Sequence, residues 1–191
     1  ISGILGIMSS ASTSFLALTP LYLSLNFLLV LLCSKEKSVR VLKAISIPTF
    51  LGFITEVLGV NFDLIYGSYT YGENLGLKIL GVPLVICLNW CLLTIVSADI
   101  AKFIAPNKVT RILIGALLMT ILDVIIEISA PRFDFWEFKD GIVPIQNYFA
   151  WFIVSSLAHL WYQSYKIDTN EKISYHIITC LFVFFTVFLF K

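Results

Sequence analysis

Runs of about 17 to 22 apolar residues recur along this chain, the length an α-helix needs to cross a hydrocarbon layer about 30 Å thick. Lipid offers the backbone no hydrogen bonds, so spanning segments must be helices or a closed barrel. These runs lack the strict alternation of barrel strands. The expected fold class is therefore all-α, a polytopic transmembrane helical bundle forming one domain over residues 1–191. Composition points the same way: 59% of residues are hydrophobic, 13% are charged and the mean hydropathy is +0.93, whereas a soluble domain is about 25% charged.

Six spans are expected, roughly Phe15–Cys33, Ala44–Val60, Ile79–Ile100, Val109–Ile128, Ile145–Tyr165 and Ser174–Phe190. The stretch ILGIM before the small polar group SSASTS reads as the tail of an earlier helix, which would make seven. The chain opens at Ile1 with no basic segment before its apolar residues, so it does not read as a signal peptide, and further residues are expected upstream. No Gly/Ser linker, repeat or low-complexity tract divides the chain.

Lysine and arginine set the orientation. The first, third and fifth connections carry Lys35, Lys37, Arg40, Lys43, Lys102, Lys108, Arg111, Lys166 and Lys172, leaving Lys78, Arg132, Lys139 and Lys191 for the other side. Nine of the 13 thus mark a cytoplasmic face of the plasma (inner) membrane. A formal net charge of +1 without a basic stripe excludes nucleic acid as a partner class. Cys33, Cys87, Cys91 and Cys180 all lie in or beside apolar runs, where a thiol behaves as a small hydrophobe. Neither a disulfide framework nor a metal site is expected from them.

The second and fourth connections, expected to face outward, are long and rich in aromatic and acidic residues: NFDLIYGSYTYGENLG and SAPRFDFWEFKDGIVP. Aromatic rings at this depth can serve as an interfacial belt. The acids are more informative. Eight of the 12, Glu56, Asp63, Glu73, Asp123, Glu127, Asp134, Glu137 and Asp140, fall in or next to this outer layer. A carboxylate inside hydrocarbon costs about 3 kcal/mol on insertion scales, so intramembrane acids tend to face a bundle interior and mark a site. Glu56 lies near the outer end of the second span, and Asp123 and Glu127 lie one turn apart on one face of the fourth. Their mutual repulsion favours holding one as the neutral acid. Asn89 and Trp90 enter two to three turns deep on the third span, and Asn147 and Trp151 lie in the first turns of the fifth. Four spans thus bring polar groups to one level, although helix caps and interhelical hydrogen bonds would use the same residue types.

The motifs that are missing narrow the chemistry. His159 and His176 stand alone on different helices, too few imidazoles for a di-iron oxygenase; His159 is expected to be a packed, hydrogen-bonded residue. No G-x-G-x-x-G follows a strand, no G-x-x-x-x-G-K-[ST] loop is present and no G-x-S-x-G elbow occurs. The single D-x-x-x-E of Asp123 and Glu127 lacks the second acidic cluster that would hold a diphosphate through Mg²⁺. Acid/base work by carboxylates, or no catalysis, remains.

Three ordered blocks carry a resemblance to a known family. The first is TEVLGVNFDLIYGSYTY, with Glu56, Gly59, Tyr66, Gly67, Tyr69 and Tyr71; the second is LGVPLVICLNW, with Gly81, Val82, Pro83 and Trp90. The third runs from Asp123 through Pro131 and Trp136 to GIVPIQNYFAW, with Gly141, Pro144, Asn147 and Trp151. Together they resemble the membrane-embedded carotenoid biosynthesis proteins that include carotenoid 1,2-hydratases such as bisanhydrobacterioruberin hydratase. This chain departs from the pattern at Tyr66, where the family usually has Phe, and at Glu127, where it has an Asp-Pro.

The resemblance implies a cofactor-independent hydro-lyase that adds water across the terminal double bond of a linear carotenoid end group. The catalytic residues would be Glu56, Asp123 and Glu127, with proton donation by Asp123 or Glu56 and water positioning by Glu127 and Asn147. Tyr66, Tyr69, Tyr71, Asn89, Trp90, Trp136, Asn147 and Trp151 would bind substrate, with Tyr69, Tyr71, Trp90 and Trp151 shielding the cation. The carotenoid would enter laterally between helices, its polyene remaining in the bilayer, and other carotenoid biosynthesis enzymes are candidate partners. Two alternatives stay open: an end-group cyclase, which captures the same cation with a neighbouring double bond, and a non-enzymatic carotenoid-binding or transport protein.

Overall fold

A computed structural model describes residues 1–190; Lys191, assigned above to the outward side, lies outside the described residues. The chain folds as an all-α bundle. The short helices α1 (Ser2–Ile7) and α2 (Ser12–Ala17) precede α3 (Thr19–Cys33), α4 (Val39–Phe62), α5 (Leu84–Ile104), α6 (Lys108–Glu127), α7 (Ile145–Tyr162) and α8 (Glu171–Val187). Four segments, Val39–Phe62, Leu84–Ile104, Lys108–Glu127 and Glu171–Phe190, are long and apolar enough to cross a membrane. Helix α3, with 15 residues, is a shorter apolar helix, about 22 Å long at 1.5 Å per residue. Helix α7 has 18 residues, with Gln146, Asn147, Ser155, Ser156 and His159 interrupting its apolar surface.

Several boundaries differ from the expected spans for identifiable reasons. Residues Phe15–Cys33 form parts of two helices, because Pro20 occupies the first turn of α3, where its missing N–H leaves no bond unmade. Helix α4 starts at Val39 rather than Ala44, since the Ser38 hydroxyl accepts from the Arg40 amide and nucleates the turn. Arg40 and Lys43 therefore belong to the helix. The segment from Ile79 is not yet helical: β2 (Lys78–Ile79) and β3 (Val82–Pro83) form a hairpin around Leu80 and Gly81, both with positive φ. Asn89 and Trp90 consequently lie in the second turn of α5, shallower than the expected two to three turns.

Helices α4, α5, α6 and α7 pack in a ring, each against the next, while α3 and α8 pack on the outer side of α5. Contacts on all sides bury most of α5, including Val85, Trp90, Leu92, Val96 and Ala101. This is why its sequence is apolar around nearly the whole circumference. The odd-numbered connections meet at one end: Lys35 Nζ pairs with Asp168 at 3.2 Å, and Arg40 donates to the Tyr165 carbonyl at 2.7 Å. At the opposite end the two long connections join through an antiparallel ribbon of β1 (Tyr69–Tyr71) and β4 (Trp136–Phe138), in the register Tyr69↔Phe138, Thr70↔Glu137 and Tyr71↔Trp136.

Two polar ties fix the helices away from the ribbon. His159, fully buried, lies 3.1 Å from Ser97 Oγ of α5 through Nε2 and 3.1 Å from Gln163 Nε2 at the end of its own helix through Nδ1, so both ring nitrogens are engaged. Asp99, only 4% exposed, accepts from Thr169 Oγ1 at 2.6 Å and Ser174 Oγ at 2.5 Å, joining α5 to the start of α8. Replacing Asp99 with Ala leaves two buried hydroxyls without an acceptor, which costs about 1–3 kcal/mol. Asp99→Ala should therefore lower the thermal unfolding midpoint of the detergent-solubilised protein, read by circular dichroism; an unchanged midpoint would deny this tie any structural weight.

Candidate functional site

The ring of four helices opens beneath the β1–β4 ribbon into a cavity of about 40 Å³, room for a few water molecules at roughly 10–15 Å³ each. Helix α4 contributes Glu56, α5 contributes Asn89 and Trp90, α6 contributes Asp123 and Glu127, and α7 contributes Asn147 and Trp151. Tyr66, Tyr69, Tyr71 and Trp136 complete the polar and aromatic lining from the two connections. All 11 residues singled out in the sequence thus line one space. The remaining acids of this end, Asp63, Glu73, Asp134, Glu137 and Asp140, are exposed and face elsewhere. Asp134 instead accepts from the Glu73 amide at 2.8 Å, and Glu73 pairs with Lys78 at 2.8 Å, which ties the connections together.

Glu56 is 4% exposed and accepts three hydrogen bonds. Tyr69 Oη and Tyr71 Oη donate to Oε2, the latter at 2.7 Å, and Trp90 Nε1 donates to Oε1 at 3.0 Å. Burial of the two phenols, reinforced by the Glu56 charge beside them, holds both well above the usual tyrosine range, so they remain protonated donors. The close approach depends on two missing side chains. Gly52 and Gly59 lie on the same face of α4 as Glu56; a Cβ on Gly52 would overlap the Trp90 indole, and one on Gly59 would stand 2.7 Å from Tyr69 Oη. Gly52 escaped the sequence reading, although G-x-x-x-E-x-x-G spaces two glycines either side of a carboxylate along one helical face.

The second acidic group is organised by an amide. Asn147 Nδ2 donates to Asp123 Oδ2 at 2.9 Å and to Glu127 Oε1 at 3.3 Å, spanning the two carboxyls of α6. Trp136 Nε1 donates to Glu127 Oε2 at 3.0 Å, so both Glu127 oxygens are engaged. Asp123 also lines the cavity, and while its Oδ2 accepts from Asn147, its Oδ1 makes no hydrogen bond among the described residues. Asp123 and Glu127 are 3% and 7% exposed.

Aromatic rings enclose these groups. Trp90 and Trp151 stack at 4.4 Å with planes 14° apart, Tyr69 and Tyr71 meet edge to face at 5.6 Å, and Tyr71 meets Trp136 at 6.2 Å. The ribbon register accounts for the roof: Tyr69, Tyr71, Trp136 and Phe138 share one face over the cavity, while Thr70 and Glu137 point outward and are exposed. Tyr71, Asn89, Trp136 and Trp151 are half-buried and mark where the cavity meets the surface. At the Tyr66 departure the extra hydroxyl is satisfied by Thr55 Oγ1 at 2.9 Å. Ile86, Leu93, Ile126 and Phe138 add apolar wall that sequence reading did not distinguish from ordinary core.

The arrangement can hold a proton on one carboxyl, a negative charge on another and a small number of waters, with aromatic faces beside them. No curated protein and no solved structure matches the chain. A family model described as carotenoid biosynthesis protein matches residues 15–191, which include every residue of the cavity. With apolar helices of spanning length and this match over nearly its full length, the chain belongs to the carotenoid biosynthesis protein family.

Proposed function

We propose that this protein is a hydratase that adds water across the terminal double bond of a linear carotenoid. The observation that carries the reading is a difference among three buried carboxyl groups: Glu56 accepts three donated hydrogen bonds, whereas Asp123, which also lines the cavity, has one oxygen without a partner among the described residues. Donors crowd around a group that is to be anionic; an acid that is to deliver a proton needs an uncommitted oxygen.

In this mechanism Asp123 protonates the less substituted carbon of the terminal double bond. The π bond breaks, a C–H bond forms and positive charge appears on the dimethyl carbon. The Glu56 carboxylate and the faces of Trp90, Trp151, Tyr69 and Tyr71 stabilise that cation. A water attacks it, forms the C–O bond of a tertiary alcohol and passes its proton to Glu127, beside Asp123 on α6. Return of that proton to Asp123 through cavity water restores the starting state. Only water is consumed, and no electron transfer is required.

Lysine and arginine asymmetry favours the outer half of the plasma membrane for this chemistry, with the polyene in lipid and one end group presented to the cavity. An end group together with a water needs more than about 40 Å³, so Tyr71 and Trp136 at the rim are expected to turn aside as it enters.

Expression of Asp123→Asn, Glu56→Gln and Glu127→Gln in a lycopene-accumulating host, followed by mass analysis of extracted carotenoids, tests the reading. Asp123→Asn should lose on the order of 10²- to 10⁴-fold in hydrated product, the range for removal of a general acid. Full activity in all three variants would eliminate the carboxylate mechanism. A product without added water would indicate cyclisation, and unchanged pigment retained by pure protein would indicate a carrier. Independently, Gly52→Ala should displace the Trp90 indole from Glu56 and reduce product at least about tenfold, at a stability cost of about 1–3 kcal/mol; wild-type turnover in this variant would show that the Trp90–Glu56 bond is dispensable.

A further inference from the structure

The wall that α5 presents to the cavity is apolar apart from one amide and the indole N–H beside it. Ile86, Asn89 and Leu93 recur at helical spacing and all line the space, so Asn89 lies between two hydrophobic neighbours on one face of the helix. Most other polar side chains of the lining are committed within the protein. Glu56, Tyr69, Tyr71 and Trp90 bond one another, Tyr66 bonds Thr55, and Asp123, Glu127, Trp136 and Asn147 form the second group. Among the described residues, Asn89 and the Trp151 indole N–H are the cavity groups with no hydrogen-bond partner at all. Asn89 is half-buried where the cavity meets the surface, so its donors and acceptor are open to a water or a substrate group.

Trp151 supplies only a donor. Asn89 supplies an acceptor oxygen and two donor hydrogens. Water attacking a carbocation must direct a lone pair at carbon while its hydrogens are held by acceptors. The Asn89 carbonyl oxygen fills that role from α5, in a cavity whose adjoining wall on α6 carries the carboxyls of Asp123 and Glu127. Its neutrality matters as well: a third acid at this position would compete for the proton, and a cation would repel the developing charge.

Resting on the hydratase reading above, we infer that Asn89 is the positioning residue for the nucleophilic water, holding it against the dimethyl carbon while Asp123 and Glu127 handle the protons. Cation formation and water capture are then carried by different residues and can be separated. Without a held water, the cation formed by Asp123 loses a proton from the carbon that was protonated. The double bond re-forms, and in heavy water that carbon retains deuterium. Nothing is consumed in this return path beyond exchange of one hydrogen for one deuterium.

The experiment uses membranes containing the full chain, incubated with lycopene in D₂O, with alcohol product and total deuterium uptake at the terminal vinylic position both read by mass spectrometry. Asn89→Leu, of similar size, and Asn89→Ala, a simple truncation, are compared with the wild type at matched protein level in the membrane. Alcohol should fall on the order of 10- to 100-fold in both, the rate equivalent of one lost hydrogen bond to a group gaining charge. Total deuterium uptake should stay within about threefold of wild type, because proton delivery by Asp123 does not pass through Asn89. A merely structural role would lower both readouts together, and that result overturns the assignment, as does wild-type alcohol formation in both variants. Failure of the wild-type chain itself to yield alcohol or deuterium uptake overturns the hydratase reading, and the assignment falls with it.

Discussion

Burying the Glu56 carboxyl inside a helical bundle is the constraint around which the rest of the structure is arranged. An uncompensated carboxylate at that depth would be costly, and the three donors that satisfy it come from a loop strand and a neighbouring helix rather than from α4 itself. Bringing Tyr69 and Tyr71 to it requires the second connection to fold back over the helix ends. Bringing Trp90 to it requires α5 to approach α4 closely, which the bare surface at Gly52 permits. One acid thus dictates a loop conformation, an interhelical distance and two glycines.

The second acidic group follows a different logic. Asp123 and Glu127 lie one turn apart on a single helix, so their relative position is set by α6 alone, and α7 needs to supply only one amide to span both. Trp136 then fastens the fourth connection to Glu127 as Tyr69 and Tyr71 fasten the second to Glu56. Each strand of the ribbon is hydrogen-bonded through its side chains to the acid of a different helix, while its backbone bonds to the other strand. Roof and site therefore hold one another in place, and the aromatic density of both connections serves that mutual fastening as well as any contact with the membrane interface.

Much of this was legible because polar residues inside apolar runs are conspicuous: Glu56, Asn89, Asp123, Glu127 and Asn147 stand out against Leu, Ile and Val, and all five line one cavity. What the residues could not reveal was pairing. Tyr69–Tyr71 and Trp136–Phe138 are three-residue strands about 65 positions apart, too short for a periodicity signal to emerge. The hairpin at Leu80 and Gly81 was absorbed into the third span because Ile79, Leu80, Val82 and Pro83 are as apolar as the helix they precede. Pro20 gave a legible break, yet the hydropathy of Phe15–Cys33 ran through it. Gly52 was visible in spacing, but a glycine in an apolar run means nothing until the ring that fills its place is known.

The alternation within the ribbon restricts how this architecture can vary. Tyr71 and Trp136 hang inward while Thr70 and Glu137 face out, so inserting or deleting one residue inside either strand would exchange the two sets, exposing aromatic surface and burying a glutamate. The turn beyond β1 gives no slack either, because the Glu73 amide donates to Asp134, the Asn74 side chain donates to the Phe133 carbonyl and Leu75 is buried. The number of residues from Glu56 to Tyr71 should therefore stay constant wherever this roof is kept.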